Sequence, residues 1–302
     1  MKLRELGEDR LLAQILPDLP RNRSVLLGPG DDCAVVETKG GTTLQLLKTD
    51  CIVEGVHFAT EDAPTAIGWK AMARPLSDFA AMSGVPRFAL VTLIAPPEKT
   101  LDWVKKIYRG LGKAARLFDV AIVGGETSNT KGPAVISVSV TGFVEKDRWV
   151  GRAGGKANDE LFVTGRLGGS LRGKHLKFSP RIEESRWLTE HFSIHAMMDL
   201  SDGLGTDLPR LAEASGVGFE VNVAALPLNP HCTTKQAISD GEDYELLFAI
   251  SPKDSRSLAA RWRKKFPKLP LTHIGRLIRK SNPPQADGNR KLPPGYVHFK
   301  ER

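Results

Sequence analysis

The sequence predicts a mixed α/β protein built in two halves. Short apolar runs rich in β-branched residues alternate with stretches whose apolar residues recur every three or four positions. A polar, glycine-rich stretch, VGRAGGKAND (150–159), separates two such series and reads as a connector. The chain has 302 residues and 41% hydrophobic content, enough for a core in one large or two medium domains. The expected division is an N-terminal domain over 1–148 and a C-terminal domain over 149–302.

The elements follow in order. Residues 3–17 read as an opening helix, with Leu3, Leu6, Leu11 and Ile15 roughly on one face. CAVVET (33–38) and TTLQLLKT (42–49) are strands. A helix over about 64–83 contains Pro75, which is expected to end or kink it. FALVTLIA (88–95) is a strand. Residues 101–118 form an amphipathic helix on the spacing of Leu101, Val104, Tyr108, Leu111, Ala115 and Phe118. VAIVGGE (120–126) and AVISVSVTGFV (134–144) close the first half as strands.

The second half starts with the strand ELFVTG (160–165). AMMDLSDGL (196–204) is a strand ending in a polar turn, and 204–216 is a helix stopped by glycine. GFEVNV (218–223), YELLFAI (244–250) and THIGRLI (272–278) are further strands.

Charge and composition exclude several classes. The longest apolar stretches are too short to span a bilayer of roughly 30 Å, so no membrane partner is expected. MKLRELGEDR is charged and lacks the apolar core of a signal peptide. Cys33, Cys51 and Cys232 are scattered and form no CxxC pair, which fits a reducing cytoplasm rather than a zinc or redox motif. The net charge of +8 is concentrated at the end: residues 251–302 hold 14 Lys/Arg against 3 Asp/Glu. RWRKKFPK (261–268) reads as a solvated helix face. The sharper reading, an anionic partner such as nucleic acid, finds no recognition motif or interleaved aromatics to support it, and none is expected.

Carboxylates cluster where strands end. Asp31 and Asp32 lie in GPGDDCAVV (28–36), Asp50 follows a strand, and Asp78 lies in PLSDFAAMSG. Glu126 closes VAIVGGE, Asp199 and Asp202 lie in MDLSDG, and Glu242 and Asp243 open GEDYELLF. One Asp beside glycine is ordinarily a turn former or helix cap. Repetition at strand after strand points instead to a shared site. Oxygen ligands without His/Cys spacing suit magnesium or calcium, and magnesium commonly leaves positions for phosphates. GxxxxGK[ST] and a Rossmann GxGxxG are absent, so nucleotide binding would use neither loop.

GPGDDCAVV, KTDCIVEGVHF (48–58), GWKAMARPLSDFAAMSGVP (68–86), VGGETS (123–128), MDLSDGL (198–204) and GEDYELLF (241–248), in that order, resemble the thiamine-monophosphate kinase family of the aminoimidazole-ribonucleotide synthetase superfamily. The resemblance runs from LRELGEDRLL to PPGYVHF (294–299). It implies the two-domain fold of that superfamily, a homodimer, and ATP-dependent phosphorylation of thiamine monophosphate to thiamine diphosphate with several magnesium ions. Asp32, Thr49, Asp50, Asp78, Glu126, Asp199 and Asp202 fall on metal positions. Tyr108, Gly125, Glu126, Arg152 and Ser201 fall on nucleotide positions. His57, Glu242 and Tyr296 fall on substrate positions, where Tyr296 would stack on the thiamine rings and Glu242 would face their positive charge. Asp78, Arg152 and Asp202 are the expected catalytic residues. Asp32 would hold magnesium, while Asp31 would organise its turn.

The acceptor is itself an anionic phosphate and needs no strong base, so catalysis reduces to alignment and charge neutralisation. Several positions depart from the family pattern. Lys48 stands where Ser or Thr is common, so its ammonium would repel or replace one magnesium. Glu126 replaces Asp or Asn, and Arg74-Pro75 stand where Asn is common. Asp240 replaces a glycine before GEDY, and Gly169 replaces a common Asp. The alternatives are a related ATP-dependent synthetase or kinase acting on another phosphorylated acceptor, and a non-catalytic regulator using the basic tail.

Overall fold

The computed structural model describes residues 2–280 and 292–296, with only the backbone of residue 9. The rest of the basic C-terminal stretch, and 297–299 of PPGYVHF, lie outside the described residues.

The chain opens with two short helices, α1 (Leu3–Leu6) and α2 (Glu8–Ile15). They are not the single helix the apolar spacing suggests, because Gly7 takes φ 74° and ψ 170° and breaks the run. Strands β1 (Val25–Leu27), β2 (Ala34–Glu37) and β3 (Thr43–Val53) follow, then α3 (Pro64–Ala81), β4 (Val85–Ala95), α4 (Leu101–Leu117), β5 (Ala121–Asn129) and β6 (Val135–Glu145). These strands form one sheet in the order β1-β2-β3-β6-β4-β5. All its pairs are antiparallel except β4 and β5, which α4 joins in parallel.

The second half runs β7 (Glu160–Thr164), α5 (Ile182–His191), β8 (Ile194–Asp199), α6 (Leu204–Ala214), β9 (Gly218–Val221), α7 (Thr234–Ser239), β10 (Leu246–Ile250), α8 (Pro252–Lys265) and β11 (Leu271–Ile278). Its sheet is antiparallel, in the order β8-β10-β7-β11-β9. α5 and α7 were not legible as elements in the sequence.

Helix α3 is the wall between the halves. A helix with apolar residues on more than one face must be covered on each, and here Ile67, Met72, Leu76 and Phe79 pack in the first core while Ala80 packs in a core of the second half. Full burial of a side chain of that size is worth roughly 1.5–3 kcal/mol. This enclosure carries the helix through Pro75, which costs it one backbone hydrogen bond without ending it. α3 and α4 cross through glycines: a Cβ on Gly68 would lie 2.0 Å from the Ile107 carbonyl oxygen, and one on Gly110 2.1 Å from that of Thr65. The buried face of α4 is Ile107, Leu111, Ala114 and Ala115. Leu101 and Tyr108, placed on that face by the sequence pattern, are exposed, because they sit about 100° per residue away from it.

RWRKKFPK begins inside α8, where Trp262 and Leu258 anchor the helix and Arg261, Arg263, Lys264 and Lys265 are exposed. No helix among the described residues is long and apolar enough to cross a membrane.

Candidate active site

Along β3 the inward positions read Leu44, Leu46, Lys48, Asp50 and Ile52. Two charges therefore interrupt an apolar row that faces α3. The helix answers with a polar stripe: Lys70, Arg74, Ser77 and Asp78 recur at spacings that share one face. Lys48 Nζ lies 2.9 Å from Asp78 Oδ1, and Arg74 Nη2 lies 3.8 Å from Asp50 Oδ1. Ser77 Oγ donates to Asp199 Oδ2 at 2.5 Å, reaching into the second half. Of this stripe, sequence reading singled out only Asp78 as a site residue. The helical spacing of the other three was the available signal.

Asp32, Asp78 and Asp199 are buried, and each offers a carboxylate oxygen within 4.8 Å of the others. Octahedral magnesium ligands lie about 3–4 Å apart, so the spacing fits. Asp32 Oδ1 accepts from Arg152 Nη2 at 2.5 Å, but its Oδ2 is buried with no hydrogen-bond partner. An orphaned carboxylate oxygen in such a place calls for a cation. Burial, then repulsion from Asp32, pushes Asp199 up to about 7. Burial raises Asp78 well above the usual carboxylate range; Lys48 opposes this, and Asp50, Asp199 and Asp32 add to it. Burial also works against the charge on Asp50, but Lys48 and Arg74 outweigh it and hold the group below its ordinary value. The donor set, all hard oxygens with excess negative charge, fits magnesium.

The Gly-Pro-Gly turn explains the paired aspartates. Asp31 Oδ1 accepts from the Asp32 N–H and Oδ2 from the Arg152 N–H, both at 2.9 Å. Asp31 thus ties the turn to the second half and aims its neighbour inward. Asp202 is paired with Arg210 at 2.5 Å, and its N–H donates to Asp207 Oδ2 at 3.0 Å. These groups line a cleft of about 690 Å³ between the halves, bordered by Asp31, Asp50, Asp78, Arg152, Asp199 and Asp202.

A smaller pocket adjoins the cleft. His57, Glu242 and Tyr296 line it, and Arg74, Ser201, Asp202 and Tyr244 border both hollows. The backbone of the SDG turn assembles it: Ser201 O accepts from Glu242 N at 2.7 Å, and Asp202 O from Tyr296 N at 2.8 Å. Glu242 and Tyr244 take φ of 54° and 52°, a left-handed conformation costing roughly 1–3 kcal/mol each. Neighbouring GEDYE side chains hold them there. Asp243 accepts from Gly168 N and Ser170 Oγ, Tyr244 stacks on Phe178 with ring centroids 3.8 Å apart, and Glu245 takes a bidentate pair from Arg181. Glu242 does not offer an unpaired anion to the pocket: both of its oxygens accept from the fully buried Lys70 Nζ at 2.8 Å.

Two family models match the chain, the AIR synthase related protein N-terminal domain over residues 30–144 and its C-terminal domain over 146–282. The thiamine-monophosphate kinase of Rhodopirellula baltica is 36% identical over 296 residues, 91% of this chain and 92% of its own. This chain belongs to the thiamine-monophosphate kinase family. The Bacillus subtilis family member is 32% identical over 98% of this chain and its whole length. The solved structure of AaThiL complexed with AMPPCP and TMP superposes with a TM-score of 0.82 at 32% identity, covering 99% of both chains.

Of the residues that the family resemblance marks, the structure brings together Asp50, Asp78, Arg152, Asp199, Ser201 and Asp202 in the cleft, with Asp32 buried beside Asp78 and Asp199, and His57, Glu242 and Tyr296 in the pocket. It does not bring Thr49, Tyr108, Gly125 or Glu126 to the same place within one chain. Thr49 alternates with Asp50 and turns to the outer face of the sheet, where its hydroxyl accepts from Ser139 Oγ at 3.0 Å. Gly125 and Glu126 lie on edge strand β5, three strands from β3 and so roughly 14 Å away across the sheet. Tyr108 is exposed on α4. Gly125 also has a structural reason to be glycine: its φ is 152°, and a Cβ there would lie 1.8 Å from the Val91 carbonyl oxygen. Two departures from the family pattern meet in space, since Asp240 Oδ2 accepts from Gly169 N at 2.9 Å.

Proposed function

We propose that this chain transfers the γ-phosphoryl group of ATP to thiamine monophosphate, giving thiamine diphosphate and ADP. The observation that carries this reading is the junction of the two hollows. A cleft rich in carboxylates and guanidinium groups opens directly onto the pocket of His57, Glu242 and Tyr296, with Arg74, Ser201 and Asp202 on the border. AaThiL, 32% identical over nearly the whole chain, is complexed with AMPPCP, a non-hydrolysable ATP analogue, and with TMP. We assign ATP to the cleft and thiamine monophosphate to the pocket, its phosphate at the junction.

Asp32, Asp78 and Asp199 would hold magnesium, with Asp50 and Asp202 beside them. Magnesium, when bound, screens the negative charge that ATP and the acceptor phosphate bring together. The residues themselves align the reactants. Arg152 and Arg74 line the cleft, and each has a buried Nε without a hydrogen-bond partner. Both guanidinium groups would place fixed positive charge beside the phosphate oxygens. A phosphate oxygen of the acceptor forms the new P–O bond as the bond from the γ-phosphorus to the β–γ bridging oxygen breaks. No proton has to be removed from the nucleophile.

The working form is proposed to be a homodimer. The outer face of the first sheet exposes Leu47, Phe88 and Leu90, with Val123 on its edge strand. An apolar sheet face and an open edge favour pairing with a second copy. Such pairing would also let Tyr108, Gly125 and Glu126 serve a site that their own chain does not give them. The division at 148/149 is the proposed domain boundary. ATP as donor and three cysteines outside any disulfide support a cytoplasmic location.

The test is direct detection of thiamine diphosphate from purified protein, ATP, magnesium and thiamine monophosphate. Product above a control without protein is expected. ATP binding without product would return the acceptor to another phosphorylated compound.

A further inference from the structure

We propose that the Lys48 ammonium is a built-in cation of the site, standing between Asp50 and Asp78 where a second divalent ion would otherwise bind. The proposal rests on the magnesium–ATP reading of the cleft and concerns how many ions that site takes.

The geometry is specific. Lys48 leaves β3 on the same face as Asp50, two residues on, and its Nζ lies 2.9 Å from Asp78 Oδ1. Asp50 and Asp78 both line the same cleft, with Arg74 Nη2 3.8 Å from Asp50 Oδ1, so two carboxylates and one ammonium border one stretch of its wall. A magnesium ion sits about 2.1 Å from a carboxylate oxygen. An ion on Asp78 Oδ1 would lie almost against the ammonium, and like charges at that distance in a partly buried site repel strongly. The other side of the cluster differs. Asp32 Oδ2 has no partner there, and Asp199 contributes the facing carboxylate. One divalent ion therefore has a place among Asp32, Asp78 and Asp199, while the other side already holds two cations, Lys48 on Asp78 and Arg74 on Asp50.

A tethered ammonium cannot dissociate. The positive charge beside Asp78 is therefore present at any magnesium concentration, and the ion requirement is reduced by one. Lys48 acts as a positioning residue: its ammonium, 2.9 Å from Asp78 Oδ1, fixes that side chain without needing to touch phosphate.

The test counts ions. Bound Mn2+ per chain is measured by equilibrium dialysis and electron paramagnetic resonance, with AMPPCP present, for the native chain, K48T and K48R. K48T is expected to bind one more Mn2+ than the native chain, and K48R the same number as the native chain. In parallel, added magnesium should raise the melting temperature of K48T more than that of the native chain. Equal Mn2+ counts in folded K48T and native chains would overturn the proposal. So would a K48T chain that stays unfolded with and without magnesium, which would make Lys48 a packing residue. If thiamine monophosphate is not the acceptor, all three chains fail in turnover while the Mn2+ counts still differ. The two readings therefore fail separately.

Discussion

The carboxylate of Asp240 accepts a hydrogen bond from the backbone N–H of Gly169 at 2.9 Å. Asp240 and Gly169 are two of the positions read as departures from the family pattern, and in this chain they meet. D240G should cost about 1–2 kcal/mol by leaving that N–H without its partner. G169D/D240G should recover only part of it, because a Cβ on Gly169 meets Cys232 Sγ at 2.4 Å. A double-mutant cycle on melting temperature should give a coupling of at least about 0.5 kcal/mol; strict additivity would show that the two positions are not coupled.

Asp78 sits where β3, α3 and the second half converge. D78N keeps the shape and removes the charge. We expect kcat to fall by about 10²-fold or more with the fold intact, and turnover by D78N at the native rate would remove Asp78 from the machinery.

The Lys70–Glu242 pair joins the two halves beneath the pocket. K70M leaves a carboxylate facing an apolar neighbour and should destabilise by about 3–5 kcal/mol. E242Q retains hydrogen bonding to the ammonium and should cost less. E242Q should also raise KM for thiamine monophosphate more than it lowers kcat, since Glu242 shapes the pocket. Calorimetry and steady-state kinetics separate the two effects.

Arg186 forms a bidentate bridge to Glu145 and also donates to the Ser83 carbonyl, tying α5 to the end of β6. The Arg186 hydrogen bonds, against opposing burial, hold the Glu145 carboxyl at about 2, below its ordinary 4.5. A carboxylate whose folded value is depressed contributes stability that is complete above about 4.5 and is lost as pH falls toward about 2. The native chain should therefore lose about 1 kcal/mol more than E145Q across that window, a figure already reduced for solvent screening. Parallel pH–melting curves for the two chains would contradict this.

Leu90 faces outward from β4, opposite Ser139 of β6 and Gly124 of β5. L90E should convert a dimer to a monomer in analytical ultracentrifugation and leave the inner face of the sheet untouched. If turnover falls with dissociation while Mn2+ binding at Asp32 persists, the partner supplies Glu126 or Tyr108. A native chain that sediments as a monomer would remove the dimer from the model of the site.

Much of this was legible from local pattern. Strand alternation, glycine turns and the order of acidic motifs are all short-range signals, and the strands they mark are present. What escaped was decided at long range or by a single backbone angle. Gly7 splits a run whose apolar spacing is continuous, and the covering of α3 on both sides overrides Pro75. Tyr108 fits the apolar spacing of α4 as written, but the face that packs against α3 is centred on Ile107 and Leu111. The partners of the carboxylates were the least readable. Lys70 and Glu242 are 172 positions apart, and no composition or spacing rule joins them. Strand order was equally hidden: Glu126 follows Asp50 by one helix–strand–helix passage, yet lies on β5, the edge of the sheet opposite β1.

Because α3 belongs to both cores at once, the protein has no natural seam. Severing the chain in the 146–159 connector would leave the first fragment with Ala73, Ala80 and half of Trp69 bare, an apolar flank with nothing to rest on. The second fragment would keep Asp199 and Glu242 but lose the Ser77 and Lys70 that hold them. The two halves are thus joined through one helix, and parting them would uncover its packing on both sides. Helix α2 borders the cleft from the first half, with Glu8, Leu12 and Ala13 in its lining.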